Sequence, residues 1–107
     1  MAADRIPPHP DPGDVTLQQV LDALIEPARR SIVVQLAARA EDIACGGFDL
    51  AVSKSTATHH FRVLREAGLI RQYYAGTSRM NSLRRAEFDA VFPGLLDSVL
   101  RASLQQA

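Results

Sequence analysis

Residues 53–70, SKSTATHHFRVLREAGLI, decide the fold, because they predict a helix with a defined start and a defined stop. Ser53 suits the N-cap, where its hydroxyl accepts a hydrogen bond from a free backbone N–H of the first turn. Gly68 suits the left-handed residue that commonly ends a helix. The spacing therefore predicts a helix over about residues 54–67.

The two sides of this helix differ in chemistry. Ala57, Phe61, Leu64 and Ala67 recur at helical spacing and predict the face that packs on the core. The other side is small, polar or cationic apart from one glutamate, and consists of Ser55, Thr58, His59, Arg62 and Glu66, with Arg65 at its edge. Such a face is typical of a helix that enters the major groove of DNA. An ordinary solvent-exposed helix is the alternative.

Position along the helix predicts what each side chain would contact in a groove. The N-terminal side chains would lie nearest the base edges, and these are Lys54, Ser55, Thr56, Thr58 and His59. Arg62 and Arg65 lie further along and are expected to contact phosphates.

The adjacent histidines do not indicate a metal or catalytic site. His59 and His60 point about 100° apart on a helix, whereas chelating pairs need a spacing of three or four residues. His60 lies beside the apolar face, and we expect it to be partly buried and bonded to neighbouring backbone. Glu66 is the only acid nearby, and nothing in the sequence places Cys45 beside a histidine. The pattern therefore predicts a protein that is not an enzyme.

Basic residues are concentrated around this helix. The formal net charge of the 107 residues is +0, yet residues 51–85 contain seven arginines and lysines against one glutamate. Clustered positive charge favours an anionic polymer as the partner, because neutralising phosphates releases counterions. A solvated charged surface is the alternative.

The segments before this helix predict two longer helices and a short one. Residues 1–13 contain Pro7, Pro8, Pro10 and Pro12 and are expected to form a disordered tail. Apolar residues then recur at helical spacing on both sides of Pro27, which suits the first turn of a helix. A short helix over about residues 41–44 should stop at the following glycine pair.

The segments after the helix predict a hairpin and terminal helices. Residues 70–74 and 79–83 are expected to pair around a turn that contains Gly76. A short helix and a second one from Pro93 complete the chain. This order predicts a mostly α fold with a small β-hairpin (α+β), a winged helix-turn-helix domain over residues 14–105. The connection over residues 45–52 is longer than the usual turn of that motif.

Composition narrows the class of protein further. No apolar run reaches the roughly 18 residues of a membrane span. The N-terminus lacks the apolar region of a secretory signal. A single cysteine, Cys45, excludes a disulfide within the chain. These features predict a cytoplasmic protein without a membrane partner.

The quoted stretch resembles the recognition-helix signature of the ArsR family of bacterial winged-helix repressors, S-x-S-T-x-S-x-H-L-x-x-L-x-x-A-G-L-V. Thr58 stands where the family usually has Ser, Phe61 where it has Leu, and Ile70 where it has Val. Upstream, LDALIEPARRSIVVQLA is similar to the family's L-x-D-P-x-R-x-x-I-L run, with Glu26 in place of Asp. The resemblance covers about residues 17–83.

This resemblance implies a homodimer that binds imperfectly palindromic double-stranded operator DNA and represses transcription. The family dimerises through its first and last helices, and the apolar residues that could supply this surface are Leu17, Val20, Leu21, Leu24, Phe88, Phe92, Leu95 and Val99. The alternative for each of them is the core of a single chain. Arg71, Arg79 and the Gly76 turn would form the wing and reach flanking DNA.

The effector stays open at this level. One family metal site uses a C-x-C pair, but Gly47 stands two positions after Cys45. Another uses His with Asp or Glu on the last helix, and residues 86–107 offer Asp89 and Asp97 without a histidine. We therefore expect no metal and no cofactor. A metal- or thiol-responsive sensor using Cys45, or a protein-interaction module with the same fold, are the alternatives.

Overall fold

The structure is a computed structural model that describes residues 6–106. Within them the chain forms five α-helices and one three-stranded antiparallel sheet. The helices are α1 (Leu17–Leu24), α2 (Pro27–Arg39), α3 (Lys54–Glu66), α4 (Arg85–Val91) and α5 (Leu95–Gln105). The strands are β1 (Ile43–Ala44), β2 (Ile70–Ala75) and β3 (Ser78–Leu83). This order confirms the predicted α+β, winged helix-turn-helix class.

Local chemistry fixes the ends of α1 and the start of α2. Thr16 caps α1 in a capping box, in which its Oγ1 accepts from the Gln19 backbone N–H at 3.1 Å and Gln19 Oε1 accepts from the Thr16 N–H at 2.8 Å. Pro27 is the first residue of α2. Arg29 then closes the end of α1, because its Nε donates to the Ala23 carbonyl at 2.6 Å.

The prediction of a short helix at residues 41–44 is wrong. Ile43 and Ala44 instead form β1, which pairs with Asn81 and Met80 of β3. A single helical turn would be unstable by itself, because few of its hydrogen bonds are formed for the backbone freedom that it loses. Pairing with β3 supplies the missing partners and buries Ile43.

The hairpin of β2 and β3 matches its prediction closely. The pairs run from Ile70 with Leu83 to Ala75 with Ser78, and Gly76 and Thr77 alone form the turn. Gly76 has a positive φ of 63°, which suits a two-residue hairpin turn. The strand order is β1-β3-β2, so β2 lies at an edge of the sheet.

One hydrophobic core joins the helices to the inner side of the sheet, and its fully buried large side chains include Ile32, Leu64, Leu69, Ile70 and Leu96. Three residues that the sequence assigned to a dimer surface belong to this core. Val20, Leu24 and Phe88 are at most 6% exposed in the single chain. They therefore take the alternative that the sequence leaves open, the core of a single chain, because α1 and α4 turn them towards their own domain.

The segment before α1 packs on the sheet, which differs from the expected disordered tail at residues 9–13. The backbone N–H of Gln72, on the open edge of β2, donates to His9 Nε2 at 2.9 Å. Arg84 Nη1 donates to the Pro10 carbonyl at 2.8 Å, and Pro12 is buried. An edge strand has unpaired backbone groups, and His9 supplies one acceptor. Residues 1–5 of the predicted tail lie outside the described residues.

No helix among residues 6–106 combines the length and the apolar content that crossing a bilayer requires.

Candidate nucleic-acid interface

The N-terminal half of α3 presents its polar side chains to solvent. Ser53 is the N-cap, and its Oγ accepts from the Thr56 backbone N–H at 3.2 Å. The predicted base-contacting residues are all exposed: Lys54, Ser55, Thr56, Thr58 and His59. Thr58 Oγ1 donates to the Lys54 carbonyl at 3.0 Å, so its lone pairs remain available to accept.

Arg62 and His59 contact each other on this surface. Both side chains are exposed, and Arg62 Nη2 donates to His59 Nδ1 at 3.2 Å. Because arginine only donates, Nδ1 is the acceptor and the N–H group of the ring is at Nε2. His59 therefore presents an N–H donor, and Arg62 a cation, on the same side of α3.

Arg65, for which the sequence predicts a phosphate contact at the edge of the polar side, lies against the hairpin. It is 3% exposed, and its Nη1 donates to Gln72 Oε1 at 2.7 Å. Burial, followed by the charge of Arg79, lowers the pKa of Arg65 from its ordinary value. Arg65 is buried because β2 of the hairpin covers the edge of α3, and the sequence alone does not show this contact.

The two wing arginines, Arg71 and Arg79, differ in their exposure and in their hydrogen-bond partners. Arg71 is exposed, and its Nη2 forms an ion pair with Glu87 Oε1 at 3.2 Å. Glu87 also pairs with Arg84 Nη2 at 2.5 Å, and the hydrogen bond from Arg84 lowers the pKa of Glu87. Arg79 is half-buried, and its Nη2 donates to Gln72 Oε1 at 3.2 Å. Arg79 therefore lies beside α3, away from the exposed turn of the hairpin.

A cleft of about 350 Å³ separates α3 from the hairpin. Its lining consists of hydroxyl groups, cationic or imidazole side chains and one proline: Pro7, Ser55, Thr58, His59, Arg62, Arg65 and Arg79. Sequence reasoning missed Pro7 in this lining, and it missed the buried Gln72 that accepts from Arg65 and Arg79. The even alternation in β2 could have indicated that Gln72 faces inward, whereas nothing in the sequence indicates where Pro7 lies.

His60 takes part in the packing of the helices. It is buried, and Arg29 Nη1 lies 3.1 Å from its Nδ1, whereas the sequence predicted a bond to neighbouring backbone. Burial and then the charge of Arg29 lower the pKa of His60, so the neutral form is favoured. The pair joins α3 to α2 and, through Arg29, to the end of α1.

Cys45 is a free, half-buried thiol next to buried amides. Asn81 Nδ2 donates to its Sγ at 3.3 Å. On the last helices, Asp97 accepts from Arg85, and Asp89 lies 3.9 Å from the same arginine. In the part of the chain that the structure describes, no three His, Cys, Asp or Glu side chains come together as a metal site would require.

An apolar stripe on α1 is exposed to solvent. Leu17 and Leu21, two of the predicted interface residues, are 51% and 46% exposed. Ile25 is 74% exposed and continues the stripe, although the sequence analysis did not single it out. The remaining predicted interface residues, Phe92, Leu95 and Val99, are half-buried against the core.

Comparison with known proteins points to one family. The model for bacterial regulatory proteins of the arsR family matches residues 26–72. The uncharacterized HTH-type transcriptional regulator YceK of Bacillus subtilis (strain 168) is 32% identical over 83 residues, which are 76% of this chain and 83% of that protein.

Solved structures extend the likeness to the whole domain. An ArsR-like transcriptional regulator from Rhodococcus sp. RHA1 has a TM-score of 0.62 at 24% identity, covering 85% of this chain and 92% of that chain. A possible transcriptional regulator for arsenical resistance has a TM-score of 0.59 at 28% identity, covering 86% of this chain and 98% of that chain. From the family model and the Bacillus relative, the chain belongs to the ArsR family of bacterial transcriptional regulators.

Proposed function

We propose that this protein is a sequence-specific transcriptional repressor that binds palindromic operator DNA as a homodimer. The observation that carries the proposal is the exposed, polar N-terminal half of α3, with Arg62 one turn further along. Its side chains offer donors and acceptors to base edges, while arginine offers a cation to phosphate. A dimer bound upstream of a gene would block access to the promoter.

The exposed stripe on α1 supports the dimer. Leu17, Leu21 and Ile25 form one apolar surface that a single chain leaves in water. Such surfaces commonly mark protein interfaces, and a two-fold dimer buries the same patch from both chains. Two recognition helices about 34 Å apart would then meet successive major grooves, as a palindrome requires.

We further propose that regulation does not use the family's metal ligands. Cys45 is the single cysteine of the sequence, so one chain cannot provide a thiolate pair. Asp89 and Asp97 both lie against Arg85, and residues 86–107 contain no histidine. A sensor of metal or of thiol oxidation would instead change its operator affinity on adding zinc or on oxidising Cys45.

Fluorescence anisotropy tests DNA recognition directly. We expect the protein to prefer the DNA upstream of its own gene over a scrambled duplex by about a hundredfold or more, with a steep dependence on salt. Equal, weak binding to both duplexes and to other candidate operators would contradict sequence-specific recognition. That result would favour a protein-interaction module.

Three substitutions separate base contacts from phosphate contacts. Arg62→Ala should weaken binding to every duplex and reduce the slope of log K against log salt by about one. Thr58→Ala and His59→Ala should each cost about 1–3 kcal/mol at particular base pairs only. Arg39→Ala removes an exposed arginine outside the basic segment and is the matched control. If all three behave like Arg39→Ala, α3 does not enter the groove.

A further inference from the structure

Two arginines on the floor of the cleft between α3 and the hairpin share one acceptor. Arg65 Nη1 and Arg79 Nη2 both donate to Gln72 Oε1, at 2.7 Å and 3.2 Å. Their guanidinium groups therefore lie side by side. Neither forms an ion pair with a carboxylate among residues 6–106. Two like charges held this close repel each other, and an anion bound to both would offset that repulsion.

Each of these arginines has a buried N–H donor without a partner among residues 6–106. Arg65 is 3% exposed, yet its Nε has no partner within the described part of the chain, and the same is true of the buried Nε of Arg79. A guanidinium group has five N–H donors and no acceptor, so its missing partner must be an acceptor. Buried donors in folded proteins are nearly always paired.

The walls of the cleft also favour a ligand that accepts hydrogen bonds. Ser55 and Thr58 contribute hydroxyl groups, and Arg62 contributes a third guanidinium group at the rim. No acidic side chain of the described residues lines the cleft. This lining favours a compact group with several acceptor oxygens and a negative charge.

We propose that this cleft binds a phosphate group, with Arg65 and Arg79 as donors on its floor and Arg62 at its rim. The planar fork of arginine matches the oxygens of phosphate, and a buried fork beside a half-buried one binds one group more firmly than an exposed lysine would. The expected source is a backbone phosphate of the operator, in which case the inference rests on the proposed function. A free phosphate-bearing ligand offers the same chemistry and is the other source.

In the cleft, Arg65 connects α3 to the hairpin, which an exposed phosphate contact would not do. Gln72 holds its guanidinium group from the hairpin, while the arginine itself belongs to α3. A phosphate in the cleft would thus join the recognition helix to the wing. Specific binding would then fix the angle between the two elements that contact DNA.

The ¹⁵N-labelled full-length protein provides the test. The arginine Nε–H signals are recorded by NMR while sodium phosphate is added, with sodium chloride at equal ionic strength as the control. The same signals are then followed during addition of the upstream duplex. Arg65→Lys and Arg79→Gln each remove one signal and so assign it. Arg79 is only half-buried, so its variant remains informative if Arg65→Lys fails to fold.

We expect the duplex to shift the Nε–H signals of Arg65 and Arg79. Arg79→Gln should also reduce the slope of log K against log salt by about 0.9, the value for one phosphate contact. Arg39→Gln, which removes an exposed arginine elsewhere, should leave both measurements unchanged. If phosphate shifts the signals and the duplex does not, a free phosphate-bearing ligand is the source.

The experiment distinguishes a cleft that binds no phosphate from a protein that binds no specific DNA. The inference is overturned if neither phosphate nor duplex moves the two signals while the wild-type protein still prefers its upstream DNA. The proposed function fails instead if no duplex binds specifically, and phosphate alone then decides whether the cleft is an anion site.

Discussion

Arg29 joins three helices through one guanidinium group. Its Nε and Nη2 donate to the carbonyls of Ala23 and Asp22 at the end of α1, and its Nη1 reaches His60 of α3. His60 can accept this bond only while it is neutral. The same condition applies to His9, because its Nε2 accepts from the Gln72 backbone N–H. Two histidines that the fold requires to be neutral make stability sensitive to acid.

We predict that the free energy of unfolding falls as the pH drops below the ordinary histidine pKa of 6.5. The pKa of His60 is lowered by burial and then by Arg29, and that of His9 by burial and then by Arg65, Arg84, Arg71 and Arg79. The unfolded chain then binds more protons than the folded one between the folded and unfolded pKa values, so stability rises with pH there and levels off above 6.5.

Urea denaturation at pH 7.5 and pH 5.5, followed by circular dichroism, measures this effect. His60→Asn and His9→Gln place an amide oxygen near each accepting nitrogen and cannot be protonated. Each variant should reduce the difference in stability between the two pH values. An unchanged difference in the double variant would contradict the assignment.

At the scale of the element, the junction between α3 and β2 depends on Gly68. Its φ of 76° lies in the left-handed region, and the Leu69 backbone N–H donates to the Leu64 carbonyl at 3.1 Å to end the helix. A Cβ at this position would also lie 3.4 Å from Val15 Cγ2. The junction sets the position of the hairpin relative to α3, and hence the shape of the cleft.

Gly68→Ala should therefore destabilise the protein by about 1–2 kcal/mol, the cost of a left-handed residue with a Cβ. Gly46→Ala is the matched control, because a Cβ there meets no heavy atom within 4 Å and its φ is not positive. We expect that control to change stability by less than about 0.5 kcal/mol. Equal effects of the two substitutions in urea denaturation would show that the junction is not constrained.

At the scale of the whole molecule, one side of α1 packs on the core and the other side is exposed. Val20 and Leu24 belong to the core of the single chain, whereas Leu17, Leu21 and Ile25 remain exposed. The sequence shows apolar residues at all these positions without showing which of them the rest of the domain covers. A second copy of the chain is the partner that we propose for the exposed set.

Leu21→Asp should convert the proposed dimer into a monomer that keeps its helical content, because a carboxylate at the apolar surface would lose its water. Sedimentation velocity gives the oligomeric state and circular dichroism the fold. Val52→Asp changes another exposed apolar residue outside α1 and should leave the dimer intact. A Leu21→Asp protein that sediments as a dimer would place the interface elsewhere.

The sequence by itself determined α3, its N-cap at Ser53, its end at Gly68, the hairpin and the resemblance to a family. These features follow from signals within a few residues of each other, such as a capping hydroxyl, a glycine and the period of apolar residues. The exposed α3 positions, from Lys54 to Arg62, could be predicted for the same reason. A helix turns a side chain opposite the core into solvent unless another element covers it.

Only the tertiary structure decided the remaining features. It placed Arg65 under β2, made Ile43 part of a strand, and gave Phe88 to the core of the single chain. It also placed His9 against the edge of the hairpin. In each case the outcome depends on which distant segment lies against the residue, and a local pattern carries no information about that. Burial, and the cleft that it creates, are properties of the packed chain.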